Sequence, residues 1–106
     1  MDEVYQEAVL DAVAQIPPGT VSTYGDVAAR VGAVLERGGP RQVGAVLALG
    51  GDAVPWWRVV TADGRVPRHA AVRARELLRA ENVPLRPDGR RVRMAGARWD
   101  GRTRRT

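Results

Sequence analysis

Three clusters of proline and glycine set the strictest limit on how this chain can fold. They are Pro17-Pro18-Gly19, Gly38-Gly39-Pro40 and Gly50-Gly51. Proline lacks a backbone donor and disfavours helix in the residue before it, whereas glycine commonly ends a helix. The first half of the sequence therefore predicts short helices that are separated by turns.

The first predicted helix spans residues 2–16. Its apolar residues recur at helical spacing, which indicates one buried face. They are Tyr5, Ala8, Val9, Ala12, Val13 and Ile16. The prolines at 17 and 18 end this helix, and Val21 is expected to form a short extended segment.

A second helix is predicted to begin after Thr23, because Asp26 stands three residues later as the acidic partner of a capping box. Its inner face comprises Val27, Ala28 and Val31. Gly32 is expected to end it. After a loop over 33–39, Pro40 opens a third helix that runs to about Leu49. Two short helices with a glycine-containing connection are typical of the helix-turn-helix, a DNA-binding motif.

The third helix has two different faces. Val43, Val46 and Leu47 form its core stripe. On another side, Arg41, Ala45 and Ala48 follow at i, i+4 and i+7, with Gly44 nearby. One long cation followed by very small residues allows the backbone to approach another surface closely. That surface is either a groove of DNA or, alternatively, a neighbouring helix of the same protein.

The second half of the chain predicts two hairpins around one more helix. Asp63-Gly64 supplies the turn within VVTADGRV, and Pro87-Asp88-Gly89 supplies the turn within 85–94. A fourth helix is predicted over 70–82. Its inner stripe comprises Ala71, Ala74, Leu77 and Leu78. Glu81 falls on the same stripe, so its carboxylate must be paired or lie at the exposed margin.

Trp99 is expected to pack the C-terminal segment down, ahead of a solvated basic tail with Arg102, Arg104 and Arg105. The 106 residues suit one domain, and no repeat is evident. The predicted fold is a single domain over residues 1–106, mainly α with small β hairpins. It is a helix-turn-helix DNA-binding domain of a winged-helix-like kind.

Cysteine is absent from the sequence, which excludes disulfides, thiolate metal sites and thiol nucleophiles. With one histidine, His69, and no suitable cluster of carboxylates, the sequence predicts no metal and no cofactor. No signal peptide and no apolar run long enough to span a membrane are present. A soluble, cytoplasmic protein without a membrane partner is therefore expected.

The positive charge points to a polyanionic partner. All 17 basic residues are arginine, and with 12 acidic residues they give a formal net charge of +5 and a pI near 11.2. The codon bias of a GC-rich genome explains arginine in place of lysine, but not the excess of charge. Nucleic acid is the leading candidate.

The segment VPWWRVV places two tryptophans side by side at 56 and 57. Neighbouring residues on an extended segment point to opposite faces. We expect one ring to pack inward and the other to line a surface or pocket where a flat ligand can stack.

Four segments in order resemble the DNA-binding domain of the O6-alkylguanine-DNA alkyltransferases. They are IPPGTVSTYGDVAARVG, PRQVGAVLALGG, VPWWRVV and RARELLRAENVP. In that family the third segment contains Pro-Cys-His-Arg, and its cysteine removes the alkyl group. Here Trp56 stands at the cysteine position and Trp57 at the histidine position, while Pro55 and Arg58 are kept. The replacement resembles the alkyltransferase-like proteins, which bind alkylated guanine but cannot repair it.

The resemblance implies a role for each matching residue. Tyr24 would press on the phosphate beside the target nucleotide, Arg41 would fill the gap left by the flipped base, and helix 40–49 would enter the minor groove. The implied DNA-binding set is Tyr24, Arg41, Gln42, Gly44, Ala45 and Ala48. The implied lesion pocket consists of Pro55, Trp56, Arg58 and, at its rim, Arg68 or His69.

Other positions depart from the family pattern. Gly50, Gly51 and Asp52 replace the region in which the enzymes carry an asparagine after the recognition helix. Glu81 lies where the enzymes have the glutamate that supports the catalytic histidine. Since Trp57 replaces that histidine, we expect Glu81 to be structural and paired with Arg58 or a backbone amide. Trp57 either packs in the core or adds surface near the pocket.

The function that the resemblance implies is non-enzymatic detection of O6-alkylguanine in double-stranded DNA. The protein, expected to be a monomer, would flip the lesion against Trp56 and mark it for nucleotide excision repair proteins. The alternative is a helix-turn-helix transcription regulator without lesion specificity. A glycosylase that activates water with Glu81 or Asp63 is a weaker alternative, because neither carboxylate lies in a motif that indicates this chemistry.

Overall fold

The computed structural model of the protein describes residues 3–35 and 38–102. Its helices and strands are α1 (Glu3–Ala14), β1 (Ser22–Thr23), α2 (Tyr24–Leu35), α3 (Pro40–Gly50), β2 (Val59–Val60) and α4 (Ala71–Ala80). Three short 3₁₀ turns lie at Gly51–Ala53, Trp56–Arg58 and Arg68–Ala70. The prediction of a mainly α fold is confirmed.

Helices α1, α2 and α3 pack against one another around a first core, and α2 and α3 form the predicted helix-turn-helix. The first core is built chiefly from valine and isoleucine at helical spacing. Its most buried members are Val9, Val13, Ile16, Val43, Val46 and Val59. A second core lies between α4 and the C-terminal segments. It contains Val21, Val60, Val66, Ala74, Leu78, Val83, Val92 and Ala97.

The predicted capping box at the start of α2 is confirmed. The N–H of Asp26 donates to the hydroxyl of Thr23 at 2.9 Å, and the N–H of Thr23 faces the Asp26 carboxylate at 3.4 Å. The prediction that Gly32 ends this helix is wrong, because α2 continues to Leu35. Leu35 packs against the first core, and a helix tolerates one interior glycine at a cost of about 1 kcal/mol.

The only sheet in the described ranges is a parallel pair in which Ser22 aligns with Val59 and Thr23 with Val60. The predicted antiparallel hairpin over VVTADGRV is therefore wrong in its strand pairing. Its turn does form: the N–H of Thr61 donates to the carbonyl of Arg65 at 2.9 Å, and Gly64 has a φ of +89°. Val59 faces the first core and Val60 the second, so β2 is buried on both faces and joins the two cores.

The C-terminal segment is close to the prediction. Leu85 and Val92 form an antiparallel bridge around the turn at 87–89. Trp99 packs on the first core, its backbone N–H donates to the carbonyl of Val21 at 2.7 Å, and its ring lies 4.4 Å from the guanidinium carbon of Arg30. Of the predicted basic tail, Arg104 and Arg105 lie outside the described residues.

Glu81, just after α4, is the centre of a polar network that ties three segments together. Its carboxylate forms an ion pair with Arg58 at 2.5 Å and accepts hydrogen bonds from the indole of Trp57 at 3.2 Å and the N–H of Gly19 at 3.4 Å. Arg58 also donates to the carbonyl of Ile16 at 2.8 Å. The expectation that Glu81 pairs with Arg58 or a backbone amide is confirmed for both partners.

Burial of Glu81 opposes its ionisation, but the hydrogen bonds and charge of Arg58 and the donors of Gly19 and Trp57 outweigh burial. The pKa of Glu81 therefore lies below its ordinary value of 4.5. A carboxyl group whose pKa is lowered by folding stabilises the fold above its unfolded-state pKa. That stabilisation is lost as the pH falls through the lower folded-state pKa.

Glu81→Gln is expected to lower the free energy of unfolding at pH 7 by about 1–3 kcal/mol. The NH₂ group of glutamine is a donor, and it would face the N–H donors of Arg58 and Trp57. The matched control is Glu76→Gln on α4, whose ion pair with Arg73 is exposed and should matter by less than about 0.5 kcal/mol. Urea unfolding from pH 7 to pH 3 measures both. The Glu81 difference should shrink as the pH falls below 4.5; a difference as large at pH 3 as at pH 7 would contradict an ionised Glu81.

Candidate nucleic-acid interface

The outer face of α3 carries Arg41 and otherwise small side chains, and we call it the bare face. Val43 and Val46 are fully buried, whereas Arg41, Ala45 and Ala48 are exposed. The alternative that these alanines pack against a neighbouring helix therefore fails. Leu49, which is 74% exposed, extends the same surface toward the end of the helix. A flat apolar surface of this kind can approach a narrow groove closely.

The two polar residues at the start of α3 have different surroundings. The side-chain carbonyl of Gln42 accepts the N–H of Gly39 at 3.0 Å, so it helps to cap the helix. The side chain of Arg41 is exposed and forms no hydrogen bond or ion pair with any residue that the structure describes. Arg41 is thus a cation at the edge of the bare face that no residue within 3–35 or 38–102 neutralises.

A cavity of about 190 Å³ opens beside α3. It lies between the start of α2, the middle of α3 and the 3₁₀ turns that follow. The lining residues are Tyr24, Gly44, Leu47, Ala48, Asp52, Trp56, Pro67, His69 and Ala70. Pockets for drug-sized ligands measure roughly 300–1,000 Å³, so this cavity suits a group about as large as a single base.

The two neighbouring tryptophans have different surroundings, as predicted, but not because the segment is extended. The segment Trp56–Arg58 is a 3₁₀ turn, not an extended strand. The rings stand edge to face with centroids 5.8 Å apart and planes at 89°. Trp56 lines the cavity, whereas Trp57 hydrogen-bonds to Glu81 and has the guanidinium of Arg58 5.3 Å from its ring. Trp56 thus forms part of the cavity wall, whereas Trp57 belongs to the hydrogen-bond network around Glu81.

Tyr24, the first residue of α2, stands between this cavity and a shallower apolar groove along α3. That groove is lined by Thr23, Tyr24, Gly25, Pro40, Arg41, Gly44, Thr61 and Ala62. Burial raises the pKa of the Tyr24 phenol above its ordinary value, so it stays a neutral hydrogen-bond donor at pH 7. The ring lies against Gly44, 3.8 Å from where a Cβ would stand.

The structure brings Tyr24, Gly44, Ala48, Trp56 and His69 together around the cavity. Other predicted pocket residues lie elsewhere. Pro55 precedes the 3₁₀ turn, outside the cavity lining, and Arg58 is held by Glu81 and Ile16. Arg68 points into a separate groove.

Sequence reasoning missed four lining residues: Leu47, Asp52, Pro67 and Ala70. Leu47 fell on the core stripe of α3, and the helical pattern gives no sign that it also reaches a cavity. Asp52 lies in the segment 50–52, which departs from the family pattern. Pro67 lies two residues before His69 and Ala70 directly after it, so a margin of two residues around His69 would have included both.

Comparison with known proteins places this geometry in a family. The DNA binding domain of 6-O-methylguanine DNA methyltransferase matches residues 4–83. The chain belongs to this alkyltransferase family. It is 35% identical over 103 residues to the DNA base-flipping protein of Escherichia coli K12, covering 93% of this chain and 77% of the relative. It is 44% identical over 70 residues to alkyltransferase-like protein 1 of Schizosaccharomyces pombe, covering 64% and 61%.

The fold agrees with solved structures of the S. pombe protein. A complex of Atl1 with damaged DNA containing O6-carboxymethylguanine superposes with a TM-score of 0.78 at 28% identity, covering 94% of this chain and 98% of that chain. A second structure, of the S. pombe alkyltransferase-like protein with DNA, gives 0.73 at 31% identity, covering 94% and 97%. The family assignment expected from the four sequence segments is confirmed.

No group of three or more histidines and carboxylates within 3–35 and 38–102 is arranged to hold a metal ion. None of the helices described is long and apolar enough to cross a membrane.

Gly44→Ala is expected to keep the fold and raise the free energy of unfolding by about 0.5–1 kcal/mol, because alanine is the better helix former and the nearest atom of Tyr24 lies at contact distance. Gly32→Ala in α2 is the matched control, since no described atom beyond the neighbouring residues and the helix's own backbone lies within 4 Å of its added Cβ. Thermal and urea unfolding compare the two. A loss of stability at position 44 alone would show that α2 and α3 need the bare backbone there.

Proposed function

We propose that this protein is a non-enzymatic sensor of O6-alkylguanine in double-stranded DNA. It binds from the minor-groove side, extrudes the modified base and holds it in the cavity beside α3. One observation carries the proposal: a cavity of base size, walled by Trp56, opens next to the bare face of α3 in a member of the alkyltransferase family.

The bare face supports an approach through the minor groove. That groove is only about 6 Å wide, so a helix can enter it only when the groove is widened and when the helix surface is made of small residues such as glycine and alanine. Ala45 and Ala48 face outward on α3, and Gly44 brings the backbone close to Tyr24. The net charge of +5 adds attraction to phosphates on any sequence.

Extrusion of the base needs something to fill the space it leaves. Arg41 is exposed, lies at the edge of the bare face and forms no hydrogen bond or ion pair with the described residues that would have to be broken. Tyr24 borders both the apolar groove and the cavity, where its phenol can donate to a phosphate beside the target nucleotide. Extrusion costs a few kcal/mol, and it costs less for a poorly paired base. The pairing defect of the lesion therefore adds to the preference for the lesion over guanine.

Inside the cavity, Trp56 offers a large apolar surface to a purine or to its alkyl group, with Leu47 and Pro67 completing the apolar lining. His69 and Asp52 bring polar groups to the same cavity, and His69 is the residue we assign to the rim. An indole carbon is no substitute for a thiolate nucleophile, and the sequence offers no cysteine. The bound lesion would therefore stay intact.

An intact, bound lesion requires another system to remove it. We propose that the complex marks the site for nucleotide excision repair proteins, with this chain acting as a monomer in the nucleoid of the cytoplasm. The support is the family membership and the lack of a nucleophile: a protein that holds damage without repairing it can act only by recruiting or shielding.

A helix-turn-helix regulator would use α3 differently. Such proteins direct arginine, asparagine, glutamine or lysine at base edges in the major groove. Past Arg41 and Gln42, the exposed face of α3 carries only small or apolar side chains, and the carbonyl of Gln42 caps the helix. This composition favours the sensor.

Trp56→Ala should weaken binding to a duplex containing O6-methylguanine about 5- to 150-fold more than binding to the unmodified duplex, since base stacking is worth about 1–3 kcal/mol. Titrations at fixed salt with tryptophan fluorescence measure both affinities. Leu49→Ala, an exposed apolar residue of α3 outside the cavity, is the control and should leave the ratio unchanged. Equal losses on the two duplexes for Trp56→Ala would reduce Trp56 to a packing residue.

Arg41→Ala should lower the affinity for the lesion duplex by more than the loss of one phosphate contact, because the extruded state loses the group that fills the gap. Arg79→Ala, an exposed arginine of α4, should weaken both duplexes alike or not at all. A 2-aminopurine placed next to the lesion reports the loss of stacking that accompanies extrusion. Unchanged lesion affinity and unchanged 2-aminopurine emission in Arg41→Ala would remove its assignment.

A further inference from the structure

A second groove, bordered by the same short segment as the cavity, is lined mainly by arginine. It lies between the start of α4 and the turn of the C-terminal hairpin and has a volume of about 660 Å³. The lining residues are Arg65, Val66, Arg68, Ala71, Arg75, Asp88, Arg90 and Arg91. We call it the arginine groove. Five guanidinium groups face one carboxylate there, so its charge is strongly positive.

Most of this positive charge is not neutralised within the described protein. Arg91 lies 3.9 Å from Asp88, and Arg65 lies 3.1 Å from Asp63. Arg68, Arg75 and Arg90 form no ion pair with any residue that the structure describes. Arg75 is also half-buried, so its side chain is held within the groove.

The start of α4 adds to the same positive field. The helix begins at Ala71, which lines the groove, and its N-cap residue is Ala70, which has no side-chain hydrogen bond to offer. No acidic residue lies in the first turn. The first N–H groups of a helix have no intrahelical partner, and together with the helix dipole they attract anions. Arginine forks and free backbone N–H groups are both suited to phosphate oxygens.

We propose that the arginine groove binds phosphates of the DNA backbone and is a second contact with the duplex, separate from α3. The position of the groove supports DNA as the occupant. Arg68 lines the groove, while its neighbours Pro67 and His69 line the cavity, so one short segment borders both. A strand that delivers a base to the cavity must pass its phosphates close to this segment. The inference rests on the proposed function, and it gives the excess charge a specific location.

The double variant Arg75→Gln/Arg90→Gln tests the groove. Its control, Arg79→Gln/Arg86→Gln, removes the same charge from exposed positions that do not line the groove. The measurement is the slope of log affinity against log salt on an unmodified duplex. Each phosphate contact adds about 0.9 to the slope, so the groove variant should lose up to about 2 while the control stays close to the wild type. Thermal unfolding verifies that both variants are folded.

A reduced slope in the groove variant alone, with the preference for O6-methylguanine unchanged, supports the proposal. Equal slopes for the two variants overturn it, and binding of an acidic peptide that is lost only in the groove variant would then assign the groove to a protein. The wild-type preference for the lesion is measured separately. Its absence would sink the sensor function without changing the slope test, which uses unmodified DNA.

Discussion

The ion pair between Arg58 and Glu81 holds the parts of this structure that the site needs. Arg58 is the last residue of the 3₁₀ turn that contains Trp56, and Glu81 is the C-cap of α4. Their ion pair therefore fixes the cavity wall to α4. Trp57 donates its indole N–H to the same carboxylate. Indole is a donor only, which suits an ionised acceptor. Three consecutive residues of VPWWRVV thus have three roles: Trp56 forms the cavity wall, Trp57 is a hydrogen-bond donor and Arg58 is a cation.

The helices of the first half follow from local signals, whereas the sheet does not. Proline and glycine clusters and the Thr23–Asp26 box act within a few residues, and the helices begin close to where these signals predict. The pairing of Val59-Val60 with Ser22-Thr23 joins segments far apart in the chain, and alternation of side chains cannot distinguish it from a hairpin. Gly32 misleads for a related reason, because the packing of Leu35 decides where α2 ends.

The candidate site divides in the same way. The bare face of α3 was predictable, since periodicity alone separates Val43 and Val46 from Ala45 and Ala48. The side-chain directions of Arg58, Arg68 and His69 were not predictable from the sequence. Arg68 and His69 are neighbours in a 3₁₀ turn, and that turn sends one to the arginine groove and the other to the cavity. Side-chain direction in such turns depends on tertiary packing, which a linear motif does not contain.

In the function proposed above, affinity and selectivity would come from different parts of this molecule. Arginine charge acts on any duplex and weakens with salt, so alone it would retain the protein on undamaged DNA. The cavity would act only on an extruded base, and extrusion costs more free energy for a well-paired base than for a poorly paired one. In this proposal the positive surface lets the protein search, and the turn held by Glu81 decides where it stops. Neither step depends on a nucleophile, so a chain without cysteine can carry out both.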